Sequence, residues 1–101
     1  MVWYIEAERI SEIPRNNMKL FDVGTLKILI INVEGKFYAV ENRCPHMGYP
    51  LFFGSLEGKV LKCGFHNAQF DVSTGKPLNG VTGKSLRTFT LLRRGSRIIM
   101  K

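Results

Sequence analysis

Two short boxes, Cys44, Pro45, His46, Met47, Gly48 and Cys63, Gly64, Phe65, His66, constrain this chain more than any other stretch. Each offers one thiol and one imidazole within a very short loop, sixteen residues separate His46 from Cys63, and the chain has no other cysteine or histidine. A lone cysteine is usually a small buried hydrophobe, and a lone histidine a satisfied core or surface group. Placing all four soft ligands in two loops points instead to one bound metal centre. The fold must therefore bring the loops together. A disulfide is the lesser expectation, because each cysteine has a histidine two or three residues on, a pattern that favours a metal over a staple.

At 101 residues the chain is sized for one modest core, and a single domain over 1–101 is expected. Its 45% apolar content is ordinary for an ordered protein. No apolar run approaches the roughly 20 residues that cross a bilayer, and the opening residues 1–6 lack a basic region followed by a long apolar one. A soluble, cytoplasmic chain without membrane insertion follows as an expectation. The net charge is +7, but apart from Arg93, Arg94 and Arg97 no basic cluster forms, and no aromatic RNA-binding signature accompanies it. Nucleic acid is therefore not expected, and an acidic protein partner is the functional use that the charge suits.

Along the chain, 2–6 has the aromatic and β-branched character of an edge strand, and Pro14 turns the connection 9–17. Residues 18–23 alternate as a strand. The Ile- and Leu-rich run 26–33 reads as a strand buried on both faces. Glu34 and Gly35 supply a tight turn into a third strand at 36–41, which makes an antiparallel meander. Short strands at 59–62 and 69–72 flank the second box, and 86–92 with 97–101 form a closing hairpin. The connection 76–85 is long enough to fold over the ligand loops. No helix of ten or more residues is apparent, so the chain is expected to be all-β.

Two centres fit four such ligands: one zinc, or two irons and two sulfides with both cysteines on one iron and both histidines on the other. Zinc fingers generally pair Cys with Cys and His with His in their halves, whereas here each loop carries one of each and so can span two irons. At these residues the sequence resembles the Rieske family. The tail Ala68, Gln69, Phe70, Asp71, Val72, with Thr74 and Gly75, is similar to the soluble ferredoxin branch, and the likeness runs over nearly the whole chain.

The resemblance implies a β-sandwich or barrel of antiparallel strands with an inserted cluster-binding subdomain at about 42–84. It also implies one [2Fe-2S] cluster per chain, bound by Cys44, His46, Cys63 and His66. Two ferric ions, two sulfides and two thiolates sum to zero when the imidazoles are neutral, which raises the potential above that of an all-cysteine cluster, to between about −150 and +300 mV. The extra cysteines of the respiratory branch correspond to Tyr49 and Phe65, so its disulfide is absent. Hydroxyls that hydrogen-bond sulfur in high-potential members correspond to Ala68 and Phe70. Fewer donors stabilise the reduced centre less, and a potential at the low end, roughly −150 to 0 mV, is expected. Asn67 stands where relatives often have glycine, as suits a left-handed backbone. Pro45, Met47, Pro50, Leu51, Phe53 and Phe65 are candidates for a low-dielectric wall.

The expected role is a monomeric one-electron carrier between a reductase and a terminal acceptor such as an oxygenase, with at least one of these redox partners acidic. It is not expected to be an enzyme. No histidine remains for a mononuclear iron, and no Gly-rich nucleotide turn is present. Two alternatives are an accessory subunit of a larger oxidoreductase such as a nitrite reductase, and a structural zinc module.

Overall fold

The computed structural model describes residues 2–45, 47–64 and 67–101. Among the described residues, ten strands form three antiparallel sheets. The first contains β1 (Trp3–Glu6), β10 (Arg97–Met100) and β9 (Leu91–Arg94), in that order. The second runs β2 (Asn17–Val23), β3 (Leu26–Val33), β4 (Lys36–Glu41) and β8 (Thr88–Phe89). The third, β5 (Ser55–Glu57), β6 (Val60–Lys62) and β7 (Gln69–Asp71), is built wholly from chain lying between β4 and β8. This is the expected all-β architecture with an insertion.

Strand β3 organises the layers. Ile28 and Ile30 pack with Ile5, Ile10, Phe21, Ala39 and Met100 on one side. Leu29, Ile31 and Val33 face a second core with Val40, Leu51, Leu61, Phe70 and Val72. Side chains alternate faces along a strand, so a run of β-branched and leucine residues is what a strand covered on both faces requires. The meander is closed by Glu34 and Gly35, at φ 53 and 92, the two left-handed positions of a tight hairpin turn. Asn32 is buried at the base of this turn. Its amide donates to Ile13 O at 2.8 Å and its oxygen accepts from Gly35 N–H at 2.7 Å, which ties the Pro14 connection to the hairpin.

Three details depart from the sequence reading. A five-residue helix, α1 (Ala7–Ser11), follows β1 and buries Ala7 and Ile10. One helical turn carries too few apolar positions for periodicity to register. Strand β5 pairs with β6 where no strand was expected. The expected strand 86–92 is divided: β8 pairs with β4 and β9 with β10, and Thr90 makes two backbone bonds with Lys101 between them. The chain changes sheets at that point, and a local pattern cannot show which neighbour a strand edge will meet.

Candidate metal centre

Cys44 lies just beyond β4, and Cys63 begins the connection between β6 and β7. Both are closed by the same device. Cys44 N–H donates to Tyr49 O at 2.8 Å, and Cys63 N–H donates to Ala68 O at 2.7 Å, five residues on in each case. In each loop the residue four beyond the cysteine is left-handed: Gly48 at φ 73 and Asn67 at φ 57. A loop that reverses this tightly needs one such residue, and asparagine is the side-chain-bearing type that tolerates it well. The expectation for Asn67 is met.

An asparagine side chain braces each loop. Asn42 Oδ1 accepts from Phe52 N–H at 2.8 Å, spanning the first loop at its base. Asn79 Nδ2 donates to Asn67 O at 2.9 Å, and its Oδ1 accepts from Gln69 N–H at 3.3 Å. The connection 76–85 therefore packs beside the second loop. Pro77 bridges Phe70, Leu78 N–H bonds to Gln69 O at 2.8 Å, and Val81 packs on the apolar core that holds both cysteines. Sequence reasoning missed both braces, because an asparagine in a loop signals a turn and not a particular distant carbonyl.

The loops meet at Gly64. A Cβ there would stand 3.3 Å from Phe53 O and 3.9 Å from Tyr49 Cε1, so the strip 49–53 lies directly against the second loop. The Arg43 guanidinium covers the first loop, with Nε 3.5 Å from where a Gly48 Cβ would be.

Cys44 and Cys63 are both fully buried in one apolar core with Leu51, Leu61, Ala68 and Phe70, and neither is in a disulfide. The lesser expectation of a staple is set aside. His46, His66 and Phe65 lie outside the described residues. The wall expectation needs correction. Leu51 is buried, but Met47 and Phe53 are 61% and 68% exposed, and Tyr49, Phe52 and Leu78 are also exposed. Pro50 is exposed and Pro45 half-buried. Among the described residues nothing buries these side chains, which stand exposed on the ligand loops and on the connection beside the second loop as an apolar rim.

Further down β7, Asp71 accepts from Ser73 Oγ at 2.5 Å and from Ser73 N–H at 2.8 Å. The Ser73 hydroxyl lowers the Asp71 carboxyl below the usual carboxylate range, against an opposing push from burial and with help from the Ser73 N–H and the Lys59 charge.

Two soft thiolates delivered from matching, rigid loops into a dry core suit an iron–sulfur or zinc centre rather than a hard cation. Comparison with known proteins selects between them. The Rieske [2Fe-2S] domain model matches residues 2–90, and the chain belongs to that family. Within the family it falls in the ferredoxin branch: it holds one [2Fe-2S] cluster, and it carries electrons rather than catalysing a reaction. It is 32% identical over 98 residues to the ferredoxin component of the naphthalene 1,2-dioxygenase/salicylate 5-hydroxylase systems of Ralstonia sp, covering 97% of this chain and 94% of that one. It is 33% identical over 98 residues to the ferredoxin component of the alkene monooxygenase system of Xanthobacter autotrophicus, covering 96% and 80%. A solved complex of reduced oxygenase and oxidized ferredoxin in carbazole 1,9a-dioxygenase contains a chain that superposes with a TM-score of 0.82 at 26% identity, over 96% of this chain and 91% of that one. No helix among the described residues is long and apolar enough to cross a membrane.

Proposed function

We propose that this protein passes single electrons from a reductase to a terminal oxygenase. In this reading Cys44, His46, Cys63 and His66 are the cluster ligands, and the whole chain 1–101 works as one domain with its cluster-bearing unit at about 42–84. The observation that carries the ligand assignment is the matched pair of loop closures, which present Cys44 and Cys63 to one dry core with equivalent backbone geometry. When bound, the cluster supplies a one-electron couple.

The protein's own residues supply the rest. The thiolates of Cys44 and Cys63 and the imidazoles of His46 and His66 would together hold the cluster. Leu51, Leu61 and Phe70 exclude water from the sulfurs. The rim of Met47, Tyr49, Phe53 and Leu78 offers an apolar contact at the ligand loops, and Arg43 beside it attracts an acidic partner. The carrier is a cytoplasmic monomer in this reading.

The test is EPR of the dithionite-reduced protein beside the four single alanine variants. The expected result is a rhombic signal with an average g below that of all-cysteine clusters, lost in each variant. A colourless protein with one zinc and no acid-labile sulfide sinks the proposal. Retention of the signal without His46 or His66 sinks the ligand assignment alone.

A further inference from the structure

The positive charge is unevenly placed. Residues 1–71 hold eight basic and eight acidic groups, whereas residues 72–101 hold seven basic groups and no acidic one. Two of the seven, Arg94 and Arg97, are cross-strand partners on the hairpin β9–β10, with Glu6 next in the row on β1. Both arginines are exposed, and neither is ion-paired among the described residues. Like charges set directly opposite each other destabilise a free sheet, and a carboxylate placed over them relieves that cost.

Side chains alternate between the two faces of a sheet, and the register fixes which way this row points. Ile5, Leu91, Ile98 and Met100 turn inward, to the core on the Ile28 and Ile30 side of β3. Tyr4, Glu6, Leu92, Arg94, Arg97 and Ile99 therefore share the outer face. The Arg97 guanidinium lies over the Tyr4 ring, 5.7 Å from its centroid, which is the diagonal contact that neighbours on one face make. The row beside the arginines is apolar: Tyr4, Ile99 and Leu92 are successive cross-strand partners. Tyr4 and Leu92 are 57% and 45% exposed, and Ile99 between them is half-buried. Among the described residues nothing covers this face. It points away from the core that contains Cys44 and Cys63, which lies on the other side of β3.

We propose that the outer face of the sheet β1–β10–β9 docks an amphipathic helix of a partner protein, one with an apolar ridge and carboxylates along one flank. Neighbouring strands stand about 4.8 Å apart and a helix rises about 1.5 Å per residue, so side chains at i, i+3 and i+7 fall nearly in step with Tyr4, Ile99 and Leu92. The arginine row lies two residues along the strands, about 7 Å away, where glutamates on the flank of such a helix meet it. Glu6 at the β1 end of that row sets the direction, because it keeps the acidic flank over β9 and β10. Charge complementarity selects this occupant: a second copy of the chain brings the same two arginines and is repelled. A phosphate backbone following the row meets Glu6 and the apolar row in place of a continuous cationic track. The bound helix leaves the ligand loops uncovered, and the proposal does not rest on the electron-transfer reading.

The test titrates a synthetic helical peptide, with leucines at i, i+3 and i+7 and glutamates along one flank, into the isotope-labelled, cluster-loaded protein and follows amide shifts. Shifts are expected at Tyr4, Leu92, Arg94, Arg97 and Ile99, and they should weaken with salt. The R94E/R97E double variant should bind about tenfold more weakly, because two exposed ion pairs become repulsions. R94Q/R97Q should fall between it and the wild type. Leu92→Ser, and a peptide with serines in place of its leucines, should each lose affinity as well. An unchanged visible spectrum, with amide signals of β2 and β3 in place, establishes that the variants are folded. No shift at millimolar peptide, shifts centred on Met47 and Phe53, equal binding by R94E/R97E, indifference to the leucines, tighter binding of phosphatidylserine vesicles or single-stranded DNA, or self-association through this face would each overturn the proposal.

Discussion

Gly54 is the position where the smallest change should most disturb the centre. It ends the one-turn 3₁₀ helix Leu51–Phe53 and leads into β5, with φ −83, so its backbone is open to any residue. What excludes a side chain is space. A Cβ there would collide with Lys62 O while lying 3.1 Å from Lys62 C and 3.2 Å from Leu51 O. Both neighbours are backbone and cannot swing aside. In Gly54→Ala, β6 must retreat by about 1 Å at the residue before Cys63, an overpacking strain of about 1–3 kcal/mol. That retreat also loosens the Ser55 and Lys62 pair, whose hydrogen bonds contribute about 1 kcal/mol each. The sum, about 2–5 kcal/mol, is a large part of the ~5–15 kcal/mol that stabilises a typical domain.

Anaerobic urea unfolding, followed by cluster absorption and far-ultraviolet circular dichroism, should show the midpoint falling by about 1–2.5 M for a mid-range slope of about 2 kcal/mol per M. Two controls separate space from conformation. Gly80→Ala meets no atom within 4 Å and should be neutral, whereas Gly58→Ala has equal room but φ +59 and should lose only about 1 kcal/mol. A Gly54→Ala midpoint within the scatter of Gly80→Ala would refute the steric argument.

Other perturbations have equally definite outcomes. Phe70→Tyr places a hydroxyl in the core that holds both cysteines, and voltammetry should show a midpoint raised by about 40 mV if one bond of ~1 kcal/mol forms to the reduced centre; an unchanged or lower midpoint counts against the donor-poor explanation of a low potential. Asn79→Ala removes two bonds to the second loop and should cost about 1–2 kcal/mol, with amide exchange quickening at Asn67 and Gln69 before it does so in β3. For Asp71 the sign follows from its lowered carboxyl: the stabilisation is complete above the unfolded value near 3.8 and is lost as pH falls through the still lower folded value. Asp71→Asn should therefore be less stable than wild type at neutral pH, the gap closing below about pH 4 in acid unfolding curves; a gap that persists at pH 2 argues for a packing effect instead.

The candidate site was legible in the sequence to the extent that it rests on chemistry. Cys44, His46, Cys63 and His66 are the only cysteines and histidines in the chain, and their alternating order favoured a mixed-ligand cluster before any fold was known. The burial of β3 on both faces was equally legible, because Leu26–Val33 has no polar face to offer water. The left-handed Asn67 followed from its residue type.

The inventory of ligands, the central strand and the all-β class were thus set by the chain itself, through composition and short-range pattern. Contacts between distant segments were left to the tertiary structure. The braces from Asn42 and Asn79, the steric role of Gly54, the sheet change at Thr90, and the exposure of Met47 and Phe53 each depend on which backbone arrives beside a residue. A hydrogen bond or a van der Waals limit acts over a few ångströms in space and is indifferent to separation along the chain, so the fold decides where such contacts occur.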